Sequence, residues 1–186
     1  IGDQALVAQK AQLWMAENLR TTKYNDGTNI PLVTDTTEWS NLTTPPYCYY
    51  DNDETSNKDT YGALYNWYTV NTNKLCPSGW HVPTDEDWKI LEMYLGMTQA
   101  EADVEGNRGS NEGSKLAGNA DLWIDGHLEV NTDFGSSGFT ALPAGYRFIE
   151  GSFDSKGNRT YFWLSTAYSS ESAWIRKLYF DTGRVY

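Results

Sequence analysis

One stretch of the chain shows a clear helical pattern of apolar and polar positions. Its apolar side chains recur at helical spacing and form one face: Trp88, Leu91 and Leu95. Thr84 occupies the N-cap position with Asp87 three residues later, which is the capping-box pattern. Acidic residues fill the first turn, where they suit the helix dipole, and Gly96 is placed to end the helix. We therefore predict one main helix over residues 84–95.

The rest of the pattern is shorter and more broken. Residues 98–105 begin with a second capping box and predict a short helix. Residues 62–70 fit either a strand or a helix. Short runs rich in aromatic and β-branched residues, separated by turn residues, predict strands at 12–24, 139–142, 146–149, 161–165 and 173–180. Because the helix comes early, the strands come late and no βαβ alternation is present, we expect a single α+β domain over residues 1–186.

Composition narrows the classes of protein that fit. The 186 residues match one domain in length, and eight Trp, 13 Tyr and six Phe can supply a sizeable core. The formal net charge of −11 argues against a protein that binds a phosphate backbone, so we expect no nucleic-acid partner. No apolar run reaches the ~20 residues needed to span a bilayer, so we expect no membrane span.

Cys48 and Cys76 are the two cysteines of the chain. They could form a disulfide or remain as buried thiols. The acidic, aromatic-rich composition is typical of secreted proteins, and this context favours the disulfide.

Acidic residues and histidines are the candidates for metal binding. The densest acidic cluster consists of Asp51, Asp53, Glu54 and Asp59. Its oxygen ligands could hold Ca²⁺, but the EF-hand pattern fails because Ser56 stands where the turn glycine belongs. A solvated acidic loop is therefore the preferred interpretation, and no cofactor is expected. His81 and His127 lack the spacing of a zinc site, and a structural hydrogen-bonding role is preferred for His81.

The late part of the chain has the composition of a binding surface. Aromatic rings there alternate with small hydroxyl side chains, a mixture that gives rigid contact area together with adaptable hydrogen bonds. We expect the contacts to come from Tyr168, Ser169, Ser170, Glu171, Ser172 and Trp174. Trp174 could instead be buried in the core, and the same alternative applies to Trp163. The turn residues between the two rings are the more exposed candidates.

Several segments resemble one family, the Fibrobacter succinogenes major paralogous domain. They occur in the family's order and cover nearly the whole chain: 13–27, 61–70, 75–88, 137–147 and 161–174. The resemblance implies a C-type-lectin-like fold, in the variety used by formylglycine-generating enzymes. It also implies a secreted or surface-displayed bacterial protein, in some cases lipid-anchored through a removed N-terminal segment. Family members continue past the segment corresponding to 179–186 into a final strand with a Cys, and this strand is expected to be absent here. If the strand is merely not included in this sequence, its Cys could bond either Cys48 or Cys76, which leaves the pairing of these two residues open.

The motifs of two activities on this fold are missing. Neither Glu-Pro-Asn nor Gln-Pro-Asp occurs, so calcium-dependent sugar binding is not expected. The closely placed cysteine pair of a formylglycine-generating oxidase is also missing. We therefore expect a non-catalytic, adhesin-like module that binds a glycan or a surface protein through the late loops. The alternatives are a hydrolytic enzyme using carboxylates such as Asp85 or Asp133, and a structural module of a bacterial surface assembly.

Overall fold

The structure, a computed structural model, describes residues 5–7, 12–169 and 172–186. Within these residues the α-helices are α1 (Thr36–Ser40), α2 (Glu54–Tyr61), α3 (Trp67–Val70), α4 (Asp85–Leu95), α5 (Gln99–Ala102) and α6 (Glu112–Leu116). The strands are β1 (Ala5–Val7), β2 (Gln12–Trp14), β3 (Tyr47–Cys48), β4 (Leu64–Tyr65), β5 (Ala144–Arg147), β6 (Phe153–Lys156), β7 (Arg159–Ala167) and β8 (Ala173–Tyr179). Two 3₁₀ turns lie at Tyr50–Asn52 and Ala120–Leu122. This mixture confirms the α+β class. None of the described helices has the length and apolar character needed to cross a bilayer.

The main helix, α4, forms where the pattern predicts it. The Thr84 hydroxyl accepts the Asp87 N–H at 3.1 Å, and the Asp87 carboxylate accepts the Thr84 N–H at 2.9 Å, which completes the capping box. The helix buries the three predicted apolar side chains together with Glu92. The second helix, α5, has its predicted capping box but ends at Ala102, earlier than expected.

The strands pair as antiparallel two-stranded ladders: β1 with β2, β3 with β4, β5 with β6, and β7 with β8. The β7–β8 hairpin is the longest of them and confirms the two late strands. Its register pairs Arg159 with Tyr179 and Trp163 with Ile175, and it shifts at an irregularity before Ala167. Such an irregularity bends the hairpin locally and increases its twist.

Two of the predicted strands are wrong over most of their length, and the strand predicted at 146–149 forms two residues earlier, as β5. Residues 12–24 form a strand only over β2, and the rest of that segment is irregular with one isolated bridge. Residues 139–142 contribute a single parallel bridge, from Ala141 to Ala117, because they pack beside α6 rather than beside a strand. Residues 62–70 contain both predicted forms, with β4 followed at once by α3, whose N-cap is Asn66.

The core consists of three clusters of buried side chains. The largest surrounds α4 and the inner face of the β7–β8 hairpin, with Trp88, Leu91, Leu164 and Leu178 at its centre. A second cluster is built on Tyr47, Tyr49, Trp67 and their neighbours. A third, smaller one contains Val33, Trp39 and Cys48. Partly buried aromatic rings from several segments line a common cleft.

The predicted disulfide is not present, because Cys48 and Cys76 are both free thiols. Cys48 lies opposite Leu64 in the β3–β4 ladder and packs with it in the third cluster, where it is fully buried. Cys76 is partly buried and follows Leu75, a member of the second cluster. The two cysteines therefore belong to different parts of the core.

Candidate functional site

A cleft of about 1000 Å³ lies beside β2, β4, β5, β7 and the segment that precedes α4. We call it the aromatic cleft because rings make up much of its wall. These rings are Trp14, Trp39, Tyr61, Tyr65, Trp80, Trp88, Phe139, Tyr146, Phe148, Tyr161, Phe162 and Trp163. Most of them are half-buried rather than fully buried, so part of each remains accessible. Clefts of this size with apolar walls and few polar groups are typical of ligand sites.

One end of the aromatic cleft is a cluster of four packed rings. Trp88 on α4 lies 5.1 Å from Trp14, 5.5 Å from Phe139 and 5.4 Å from Phe162, measured between ring centroids. These tilted arrangements are the geometry that aromatic pairs prefer. The Trp14 indole N–H donates to the side chain of Gln12. The buried indole N–H of Trp88 has no partner among the described residues.

Another part of the cleft wall is fixed by Arg147 at the end of β5. Its guanidinium donates to the carbonyl oxygens of Val33 at 2.8 Å, Thr34 at 3.0 Å and Gly151 at 2.9 Å. The same group lies 4.2 Å over the ring of Trp39. Because these carbonyls and the ring occupy the guanidinium, Arg147 holds the wall in place and is not a free cation of the cleft.

The mouth of the cleft carries a histidine–carboxylate pair. His81 is exposed, and its Nε2 lies 3.1 Å from Oδ2 of Asp87. Burial alone would raise the pKa of the Asp87 carboxyl, but hydrogen bonds from Thr84 and from His81 outweigh burial and lower the pKa. Asp87 is therefore an ionised capping residue that also orients His81. This agrees with the hydrogen-bonding role predicted for His81.

Trp80 is the ring of the cleft with the fewest ties to the protein. It is half-buried and follows a turn in which its backbone N–H donates to the carbonyl oxygen of Pro77 at 3.0 Å. No ring pair or side-chain hydrogen bond within the described residues engages its indole. By contrast, the indole N–H of Trp163 donates to the carbonyl oxygen of Tyr65 at 2.8 Å. The ring face and the indole N–H of Trp80 are therefore not engaged by another side chain within the described residues.

Two titratable groups of the cleft wall are held in their neutral forms. Burial raises the pKa of the Cys76 thiol to about 11. Burial also raises the pKa of Tyr65, whose hydroxyl donates to the carbonyl oxygen of Thr21 at 2.7 Å. A protonated thiol is a poor nucleophile, so the wall near Cys76 offers apolar contact rather than reactivity at neutral pH.

The late contacts that the structure describes are not among the residues that line the aromatic cleft. Tyr168 is 67% exposed, and its ring meets the half-buried Trp174 edge-on at 5.0 Å. The hydroxyls of Ser169 and Ser172 are 2.6 Å apart and close the turn. Trp174 also packs against the main core cluster. Two of the predicted contacts, Ser170 and Glu171, lie outside the described residues.

The acidic cluster is not assembled into a metal site. Asp53 caps α2 by accepting the Ser56 N–H, Glu54 pairs with Lys58 at 2.6 Å, and Asp59 pairs with Arg20 at 3.4 Å. Asp51 sits in the adjacent 3₁₀ turn with a positive φ. Over the described ranges, no group of three or more His, Cys, Asp or Glu side chains has a metal-binding arrangement.

The carboxylates named for a hydrolytic enzyme are engaged elsewhere. Asp85 pairs with Arg176 at 2.7 Å and with Lys89 at 3.1 Å. Asp133 accepts a hydrogen bond from the side chain of Asn111 at 2.6 Å. His127 is exposed on a loop. None of these three residues is among those that line the aromatic cleft.

Comparison with known proteins identifies a family. The sequence pattern of the Fibrobacter succinogenes major domain matches residues 7–186. The chain belongs to this family. No curated protein and no solved structure matches it.

The segments that carry the family resemblance converge on the aromatic cleft of this Fibrobacter succinogenes major domain. Each of the five contributes lining side chains, among them Trp14, Tyr61, Trp80, Tyr146 and Trp163. The sequence pattern predicts contacts in the late turn and does not indicate the cleft. All five segments contain aromatic residues, and this was the one indication of the cleft in the sequence. Only the fold shows that these residues are neighbours.

Proposed function

We propose that this domain is a non-catalytic binding module, displayed on a bacterial surface or secreted, that holds a glycan in the aromatic cleft. We further propose that its α+β arrangement is a C-type-lectin-like fold. The observation that carries the functional proposal is the wall of half-buried rings, because sugar rings stack their apolar faces on aromatic side chains while their hydroxyls seek hydrogen-bond partners.

The polar groups of the cleft support this proposal. His81 and Thr140 line the cleft and are exposed. The His81 ring nitrogen that does not contact Asp87 and the Thr140 hydroxyl can therefore exchange hydrogen bonds with the hydroxyls of a bound sugar.

The carboxylates of the cleft favour binding over hydrolysis. Glycoside hydrolysis uses two carboxyl groups placed on either side of the scissile bond. The two that line this cleft are Glu17, which pairs with Arg20 at 2.9 Å, and Asp87, which caps α4 and contacts His81. Both carboxylates already have structural partners.

The late turn supports a second ligand class. Tyr168 presents an exposed ring beside the hydroxyls of Ser169 and Ser172 at the tip of the longest hairpin. This combination suits a protein ligand, since tyrosine and serine give contact area and adaptable hydrogen bonds. We therefore propose the turn as the contact surface for a surface-protein partner, separate from the glycan cleft.

A glycan array with and without EDTA tests the glycan proposal. We expect binding that survives EDTA and that falls about tenfold, or about 1.4 kcal/mol, in Trp80→Ala. The matched control is Tyr94→Ala, which removes an exposed ring of α4 outside the cleft and should bind as the wild type does. Binding lost in EDTA would move the site to the acidic cluster around Asp51. An array without any bound glycan would refute the proposal.

A further inference from the structure

The outer face of the β7–β8 hairpin continues the aromatic cleft. Cross-strand partners lie side by side on one face, and alternate residues of a strand share that face. The register therefore places six side chains together: Arg159, Tyr161, Trp163, Ile175, Lys177 and Tyr179. Three of them, Tyr161, Trp163 and Ile175, line the cleft. The remaining three extend the same face beyond it, and we call the whole set the hairpin face.

Of the 13 Lys and Arg side chains that the structure describes, six form ion pairs with carboxylates and seven do not, and the two cations of the hairpin face are among those seven. Lys58, Lys74 and Lys89 each pair with a carboxylate within 3.1 Å. Arg159 and Lys177 make no ion pair within the described residues, although the whole chain has 25 Asp and Glu. Instead the Arg159 guanidinium lies 4.7 Å from the ring centroid of Tyr179, and the Lys177 ammonium lies 4.0 Å from that of Tyr186.

The two positive charges act on each other. Burial lowers the pKa of Lys177, and the neighbouring charge of Arg159 lowers it further. An anion placed beside both side chains would replace this repulsion with two attractions, and charge-assisted hydrogen bonds are stronger than neutral ones. Hydrogen bonds with the hydroxyls of Tyr161 and Tyr179 raise the pKa of Arg159 and hold its guanidinium in place. The hairpin face therefore presents two cations on one face of the ladder, and both would attract a negative group placed there.

The position of the cations relative to the cleft indicates what kind of anion fits. Lys177 is the direct cross-strand partner of Tyr161, and Arg159 is two residues from Tyr161 on the same strand, or about 6.8 Å along it. A ring stacked on Tyr161 would bring a substituent within reach of either cation. A ligand unit that carries a carboxylate directly on its ring matches this spacing, whereas an acidic peptide separates its carboxylates from any ring.

We propose that Arg159 and Lys177 bind the carboxylate of an acidic glycan, a polymer that contains uronic acid units, whose neighbouring units lie in the aromatic cleft. This inference rests on the proposed function and adds the chemical class of the glycan. Because the domain as a whole is negatively charged, the attraction is local to the hairpin face rather than a long-range field.

Calorimetric titration with charged and neutral forms of one ligand tests this inference. The probes are oligomers of galacturonic, glucuronic and mannuronic acid, each compared with its methyl ester, which keeps the ring and removes the charge. We expect at least one acid to bind at least tenfold more tightly than its ester. The preference should shrink as salt is added, since ions screen the contact.

Variants of Arg159 and Lys177 provide a second test of this inference. Lys177→Gln and Arg159→Gln should each reduce the affinity for the acid at least fivefold and leave the affinity for the ester unchanged. Lys23→Gln, which removes an exposed cation elsewhere, is the matched control and should change neither. Melting temperatures measured alongside verify that the variants fold.

The outcomes separate this inference from the proposed function. Equal binding of acid and ester would overturn the acidic-glycan inference and leave the glycan proposal standing. If neither form binds and no neutral glycan binds on the array, both fail. Binding of an oligoglutamate peptide in place of every uronate oligomer would overturn the inference in favour of an acidic protein ligand.

Discussion

Arg108 and Glu92 form a two-pronged ion pair inside the main core. Nε of Arg108 lies 3.2 Å from one carboxylate oxygen of Glu92, and Nη2 lies 3.0 Å from the other. Arg176 adds a third hydrogen bond to Glu92 at 2.9 Å, and Glu92 itself is fully buried. This carboxylate joins α4 to β8 and to the loop that carries Arg108, and so fixes the frame on which the cleft is built.

Replacing Glu92 with Gln should strongly destabilise the fold. The variant keeps the shape of the side chain but leaves the buried guanidinium of Arg108 without its counter-charge. Breaking a buried pair in this way costs about 3–5 kcal/mol. Urea unfolding measures the loss. Glu54→Gln, which breaks the exposed pair with Lys58, is the control and should cost less than about 1 kcal/mol. A loss below about 1 kcal/mol for Glu92→Gln would contradict the structural role of the pair.

The capping carboxylate of α4 should make stability depend on acid pH. The pKa of Asp87 is lowered in the folded state from its ordinary value of 3.8. Its ionised form therefore contributes stability that is fully present above about pH 3.8 and is lost as the pH falls through the lower, folded-state pKa. We expect Asp87→Asn to be less stable than the wild type near neutral pH and the difference to shrink in strong acid. A difference that stays constant down to pH 2 would show that Asp87 acts through shape alone.

Gly145, on β5 in the cleft wall, should not tolerate a side chain. Its φ is +66°, and a Cβ there would lie 2.6 Å from the carbonyl oxygen of Asp154 and 2.7 Å from Tyr50. Gly145→Ala should cost about 3 kcal/mol, from the unfavourable φ and the steric overlap together. Gly27→Ala, at a similar φ of +85° with open space around it, should cost only about 1 kcal/mol. Thermal unfolding that ranks the two variants equally would rule out the close approach.

A substitution at Tyr168 distinguishes the late turn from the cleft as a binding site. Because its ring is largely exposed and lies outside the cleft, Tyr168→Ala should leave both the melting temperature and the affinity for a cleft-bound glycan nearly unchanged. A large fall in the melting temperature would assign the ring to the core and remove it from the proposed protein contacts. A fall in glycan affinity alone would extend the glycan site to the turn.

The sequence predicted the elements that local signals control. The helix α4 was predictable because its capping box, its apolar face and its terminal glycine agree with one another. The burial of Glu92 was not predicted, although the residue lies on the same helical face as Trp88, Leu91 and Leu95. Its acceptability inside the core depends on Arg108 and Arg176, which come from distant parts of the chain.

The aromatic cleft could not be predicted from local sequence patterns, because it too depends on contacts between distant parts of the chain. An individual ring such as Trp80 or Tyr161 has the same local signature whether it fills a core or faces a ligand. The difference arises from the space left between five segments after they pack. The late turn could be predicted as a contact surface because its rings and hydroxyls are contiguous in sequence, whereas the rings of the cleft are contiguous only in the fold.

Ligand binding in the aromatic cleft is tested most directly by following the tryptophan indole N–H signals in NMR spectra. The domain is titrated with the strongest glycan from the array. We predict that the signals of Trp14, Trp80 and Trp163 shift together, and that the signal of Trp123, which is buried and bonded to Gly118 away from the cleft, stays in place. A titration that shifts Trp174 at the late turn and leaves the three cleft signals unmoved would contradict the account.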